Sequence, residues 1–150
     1  RLKRVGAPLH GVGLQSHLQL DRGTLSQPQF AAFLHELAQF DVAITLTELD
    51  VKEAAYATPA EARDQAVADA VRAYLDVAFA EPRVAGLLCW GLSDRHSWLA
   101  LTDEDWARHA GAWQDGDGPG FNRGAPFDAA LRPKPMYRAI LEAFATAPRR

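Results

Sequence analysis

The chain has 150 residues, 48% of them hydrophobic and 23% charged, with a formal net charge of −3. That length supports one domain with a core, and the charge balance lacks the basic surplus that a nucleic-acid partner requires. The longest markedly apolar run, VAGLLCWGL at 84–92, is too short to span a bilayer, so no membrane role is expected. The single cysteine, Cys89, allows no disulfide within the chain and does not identify a redox compartment. No secretory signal opens the sequence, although its first residue is Arg1 rather than Met. That leaves room for a targeting segment upstream.

The first strand-like run is GVGLQSH at 11–17. A helix is expected over 27–39, capped by Ser26 with Pro28 in its first turn. Phe30, Phe33, Leu34, Leu37 and Phe40 form its apolar stripe. The second run, VAITLTE at 42–48, precedes a longer helix over 59–80. Thr58 and Glu61 have the spacing of a capping box there. Ala66, Val67, Ala70, Val71, Tyr74, Leu75 and Ala78 form that helix's expected buried face. The third run, VAGLLCWG at 84–91, leads into a loop region rich in Gly, Asp and Pro. Pro135 then opens a last helix carrying Tyr137, Ile140, Leu141 and Phe144.

The strands read as apolar or small on both faces, as parallel strands covered on both sides do. The order βα, βα, β-loop-α implies an α/β fold with parallel strands. Three such strands make a poor free-standing sheet, and a (β/α)₈ barrel typically needs about 250 residues. The chain is therefore expected to be part of something larger.

Chemistry concentrates at the strand ends. Strict alternation puts Ile44, Leu46, Glu48 and Asp50 on one face. It groups Gly11, Gly13, Gln15 and His17 in the first run, and Gly86, Leu88 and Trp90 in the third. Asp94 and Trp98 follow just beyond. Each face turns polar or aromatic toward its C-terminal end, which is the ligand end of barrels and of open parallel sheets. Taken singly, each residue has a plain structural explanation. An acid after a strand is often a solvated or capping residue, His17 a hydrogen-bonded structural histidine, Trp90 and Trp98 core residues, and Asp94 the organiser of its own turn. Taken together, they suit either a sugar site or a divalent-metal site built from His17, Glu48, Asp50 and Asp94 in some other barrel hydrolase or isomerase.

Four segments occur in order: GVGLQSHL at 11–18, ITLTELDV at 44–51, CWGLSDRHSWL at 89–99 and PFDAALRPKPMYRAI at 126–140. Together they resemble the C-terminal part of glycoside hydrolase family 10, the retaining endo-β-1,4-xylanases built on a (β/α)₈ TIM barrel. The resemblance runs over essentially the whole chain. It implies that 1–150 is a partial catalytic domain holding barrel strands six to eight, with strands one to five absent. Glu48 matches the family's nucleophile, His17 the histidine bonded to it, and Asp50 the acid that holds that histidine. Gln15 matches a substrate-side glutamine, and Trp90 and Trp98 match tryptophans lining the sugar site. The resemblance further implies xylan or xylo-oligosaccharide as ligand, no cofactor, no metal in the chemistry, and a secreted or periplasmic setting for the full protein.

The family's acid/base glutamate follows an asparagine, and no Asn-Glu pair occurs here. Asp94 and Glu53 are the nearest substitutes by topology, though neither lies where the family places its proton donor. Residues 100–125 also depart from the family pattern. There Trp106 and Trp113 read as a short helix packed on the barrel or as an aromatic platform. Cys89 should face the helices, buried and inert. A three-strand arc would expose two sheet edges and one open face, so the missing barrel strands or a second copy are its expected partners. Two other readings stand beside the xylanase: a sugar-binding remnant without catalysis, and a metal-dependent barrel enzyme.

Overall fold

Every strand-like run pairs in parallel. The computed structural model describes residues 2–23, 25–53, 58–99 and 122–148. In chain order these form β1 (Gly11–Leu14), β2 (His17–Gln19), α1 (Gln27–Ala38), β3 (Ala43–Lys52), α2 (Ala60–Ala80), β4 (Val84–Cys89) and α3 (Pro135–Thr146). Short 3-10 turns lie at Lys3–Val5, Leu20–Arg22 and Asp94–His96. β1 and β2 lie end to end along one side of β3, and β4 lies along the other. The helices bring Leu34, Val67, Val71, Leu75 and Met136 against Ile44, Leu46, Leu49, Val51 and Val84 of the strands. The result is an arc of an α/β barrel with its core between sheet and helices. Leu88 and Trp90 point the other way and stay 55% and 49% exposed.

The first run is two strands rather than one. Ser16 adopts φ +67°, a left-handed backbone that a residue with a Cβ takes up at a cost. β1 stops at Leu14, and pairing resumes with His17 opposite Asp50.

Strict alternation along the second run does not hold, and the exception builds the site. Ile44 and Leu46 are fully buried on the helix side. Thr45 and Thr47 face the opposite side, their methyls toward Gly86 and Gly13. Between Leu46 and Leu49 the register slips, so that Thr47 and Glu48 on β3 stand against Leu88 alone on β4. A bulge of this kind turns the strand's phase by one residue. Leu49 and Val51 thereby return to the core, and Glu48 and Asp50 turn to the concave side. Ile44 and Leu46 do not share their face, contrary to the expectation from alternation.

The helices form where periodicity places them, with different ends and phases. The capping box at Thr58 and Glu61 does not form: α2 begins at Ala60 with Pro59 as cap and no side-chain capping bond. Ser26 caps α1 by position only, again without a side-chain bond. Phe33 and Phe40 are exposed, and Leu34 is the buried residue of the α1 stripe. In α2, Ala66 lies outside and Asp64, Ala68 and Phe79 inside. In α3 the buried residues are Met136, Ala139 and Ala143, while Leu141 and Phe144 are half-exposed. The small Ala139 and Ala143 let α3 lie close to α2, and that contact rather than the bulkiest side chains sets its phase.

Residues 122–125 run alongside the end of β3. Asn122 is fully buried, with its amide bridging Glu53 N at 3.0 Å and Val51 O at 2.8 Å. Val51 N donates to Gly124 O at 3.1 Å. A Cβ on Gly124 would lie 1.6 Å from Val51 O, so only glycine fits. Trp106 and Trp113 fall outside the described residues.

Candidate active site

At the C-terminal end of the sheet, the β3 bulge and the restart at β2 bring three of the expected residues together. His17 Nδ1 lies 2.7 Å from Asp50 Oδ1, and its Nε2 lies 3.4 Å from Glu48 Oε2. The other oxygen of Asp50 accepts from Trp98 Nε1 at 2.5 Å. Asp50 is buried, whereas the Glu48 and His17 side chains each keep 23% of their surface open. An ionised carboxylate only accepts hydrogen bonds, so His17 Nδ1 carries a proton toward Asp50 and Nε2 faces Glu48. The 3.4 Å contact is long for a hydrogen bond.

Two indoles frame this cluster. The Trp98 ring centre is 5.3 Å from that of His17, and Trp90 meets the same imidazole edge-on at 6.5 Å. Trp90 and Trp98 are 49% and 60% exposed, so neither is a core residue. Their open faces offer apolar area with few rotors, which suits the C–H face of a pyranose ring. Gln15 is exposed at the same strand end, two residues before His17 and outside the bonds just described. Cys89 faces the helix side opposite Leu49, as expected, but is only partly buried. Burial and the nearby Asp50 push its thiol pKa up, which keeps it a poor nucleophile.

Neither suggested substitute acid reaches the cluster. Asp94 is 1% exposed and does more than order its own turn. Its Oδ1 accepts from Ala125 N and Lys134 Nζ, both at 3.1 Å, and Oδ2 lies 2.8 Å from the same ammonium. Burial pushes the Asp94 carboxyl above its ordinary range, although Lys134 and the Ala125 N–H pull the other way. Glu53, also 1% exposed, is held by the Arg63 guanidinium and accepts from Arg123 N at 3.1 Å. Arg123 in turn grips both oxygens of Asp64 at 2.8 and 2.7 Å, and Lys134 Nζ lies 3.3 Å from Asp64. Three acids and three bases thus form one buried ion network behind the loop end. The visible sign of it in the sequence was Asp64, a charge on the apolar stripe of α2.

The metal reading draws no support from this geometry. Both ring nitrogens of His17 face carboxylates, so an ion would have to displace one of them. Among the described residues, no group of three or more His, Cys, Asp or Glu side chains is arranged to hold a metal ion.

The chain matches known proteins along nearly its full length. The profile of Glycosyl hydrolase family 10 covers residues 1–143. Endo-1,4-beta-xylanase 5 of Pyricularia oryzae is 30% identical over 149 residues, spanning 97% of this chain and 32% of that relative. An endo-1,4-beta-xylanase of Geobacillus stearothermophilus is 30% identical over 112 residues, 65% of this chain and 32% of that relative. Among solved structures, xylanase 10B of Thermotoga petrophila in complex with xylobiose superposes with a TM-score of 0.75 at 26% identity. It matches 96% of this chain and 38% of its own. Penicillium canescens endo-1,4-beta-xylanase XylE gives 0.72 at 25% identity, with 98% and 39% covered. The chain spans 32% of the length of the first of these curated relatives. With residues 1–143 matched, the chain belongs to glycosyl hydrolase family 10.

Proposed function

We propose that this chain carries the nucleophile side of a retaining endo-1,4-β-xylanase, which hydrolyses internal β-1,4-xylosidic bonds of xylan by double displacement. The observation that carries this reading is His17 held between Glu48 at 3.4 Å and Asp50 at 2.7 Å, on a strand end flanked by two open indoles. In this reading Glu48 attacks the anomeric carbon as a carboxylate. Oε2 lies beside His17 Nε2, leaving Oε1 to form the glycosyl bond. Asp50, fixed by Trp98, orients His17 and is not the second catalytic acid. Gln15, Trp90 and Trp98 contact the sugar. The relatives' names and the xylobiose bound to the Thermotoga petrophila enzyme support the substrate class.

A retaining enzyme needs a second carboxyl about 5–5.5 Å from the first to protonate the leaving oxygen. Because Asp94 and Glu53 are held in buried ion pairs, the reading takes the acid/base from outside this chain, in strands one to five of a complete barrel. Those strands, or a second copy of the chain, would cover the open concave face. Xylan is a polymer met outside the cell, so the whole protein is proposed to be exported.

The whole protein should release products from xylo-oligosaccharides first as β-anomers, seen by proton NMR within the first turnovers. Initial α-anomers would contradict the double displacement. The half-exposed Trp90 and Trp98 also fit a sugar-binding remnant. In that case xylo-oligosaccharides would quench Trp fluorescence with no hydrolysis.

A further inference from the structure

Two backbone irregularities aim the site, and both are tied to one carbonyl. The left-handed turn at Ser16 delivers His17, and the bulge at Thr47 and Glu48 delivers the carboxylate. Leu14 O, at the end of β1, accepts from Ser16 Oγ at 3.1 Å and from Thr47 Oγ1 at 3.1 Å. A serine hydroxyl has one proton. With that proton given to Leu14 O, Ser16 Oγ must accept from the Tyr74 hydroxyl 2.8 Å away.

Tyr74 belongs to α2, on the far side of the sheet. It is 4% exposed, with its ring stacked on Phe30 at 4.6 Å. Burial pushes its phenol above the ordinary value, which keeps it a proton donor. The relay thus runs from Tyr74 to Ser16 to Leu14 O, where Thr47 joins it from the neighbouring strand. Thr47 is fixed from a second direction as well, because a Cβ at Gly13 would lie 2.9 Å from its Cγ2. Its methyl fills the space that the glycine leaves, and its hydroxyl has one place to go.

We propose that Thr47, Ser16 and Tyr74 are positioning residues whose hydroxyl relay on Leu14 O sets the spacing between His17 and Glu48. The proposal rests on the reading of Glu48 as nucleophile. In this reading none of the three is a sugar contact: Thr47 acts through the backbone next to Glu48, Ser16 through the backbone next to His17, and Tyr74 through Ser16. Orientation is where small displacements weigh most, since an attacking atom must approach the reacting carbon along a narrow path.

The test uses the whole protein and a nitrophenyl β-xylobioside. Thr47→Val keeps the shape and the methyl and loses only the hydroxyl. It should lower kcat about tenfold with KM within about twofold, the pattern of a lost transition-state alignment. Thr47→Ser, which keeps the hydroxyl, should return kcat to within about threefold of wild type, and Tyr74→Phe should cost about threefold. The double variant Thr47→Val/Tyr74→Phe should lose less than the product of the two, because both act on one carbonyl. A merely structural role would lower the melting temperature and leave kcat unchanged well below it.

A folded Thr47→Val with wild-type kcat, a Ser variant as poor as the Val variant, or strictly multiplicative losses would each overturn the proposal. Should Thr47→Val fail to fold, Tyr74→Phe decides alone, and an unchanged kcat there overturns it. Glu48→Gln run alongside separates the two ideas. Activity retained in that variant removes the nucleophile reading itself, whereas loss of activity there with a wild-type Thr47→Val removes only the relay.

Discussion

Glu48→Gln in the whole protein should lower kcat on xylan by about 10⁴-fold or more. The amide has nearly the same shape and can still meet His17, but it is a poor nucleophile toward an anomeric carbon, so the covalent route closes. KM should change little, because the proposed sugar contacts are Gln15, Trp90 and Trp98 rather than Glu48. The fold should change little too, since the Glu48 side chain is 23% open and sits at the lip of the concave face rather than in the core. Steady-state kinetics beside a thermal melt check both halves. A loss of only about tenfold would make Glu48 an electrostatic neighbour of some other nucleophile.

The largest expected loss of stability lies away from the site. Lys134 is 5% exposed, with its ammonium 2.8 Å from Asp94, 3.3 Å from Asp64 and bonded to Arg123 O. Lys134→Met fills the same space and removes the charge. Asp64 keeps Arg123, but Asp94 keeps the Ala125 N–H and only the more distant charge of Arg123. Removing one partner of a buried pair typically costs about 3–5 kcal/mol, because the other charge is left without compensation. Denaturant melts should show that loss, and adding Asp94→Asn should recover much of it, since the stranded charge is then gone. By contrast, the Arg132–Asp128 pair has its arginine 79% exposed. Arg132→Ala should therefore cost less than about 1 kcal/mol. Equal losses at the two sites would mean that the buried network does not hold Arg123 and Ala125 in place through Lys134 and Asp94.

The type and order of the elements could be read from the sequence, and so could the gathering of several polar and aromatic side chains at the strand ends. GVGLQSH, VAITLTE and VAGLLCWG all became parallel strands, because runs apolar on both faces have few other ways to be buried. His17, Asp50 and Trp98 do meet in one hydrogen-bonded group, with Glu48 3.4 Å from His17. How they meet could not be read. Period-two alternation assumes an unbroken ladder, and it placed Glu48 on the face of Ile44 and Leu46. The bulge that separates them depends on pairing with β4, whose residues lie more than 30 positions along the chain.

Asp94 and Glu53 show the same limit in another form. Asp94 read as the organiser of its own turn, and both acids as the nearest substitutes for the acid/base by topology, but their partners Lys134, Arg63 and Arg123 come from helix ends and from the loop after the third strand. No local pattern couples those positions. The phase of α3 was likewise decided by a neighbour. Ala139 and Ala143 turn inward against α2, and the bulkier Leu141 and Phe144 turn outward. Hydrophobicity alone ranks those residues in the opposite order.

If Glu48 is the attacking group, a covalent trap should find it there. A 2-deoxy-2-fluoro-xylobioside with a good leaving group slows both steps and traps the glycosyl-enzyme when its formation outpaces its hydrolysis. The whole protein, incubated with this reagent, digested and read by tandem mass spectrometry, should carry the sugar on the peptide containing ITLTELDV, esterified at Glu48. A label on Asp50, on Asp94, or on a residue outside this chain would place the nucleophile elsewhere and overturn the role of Glu48.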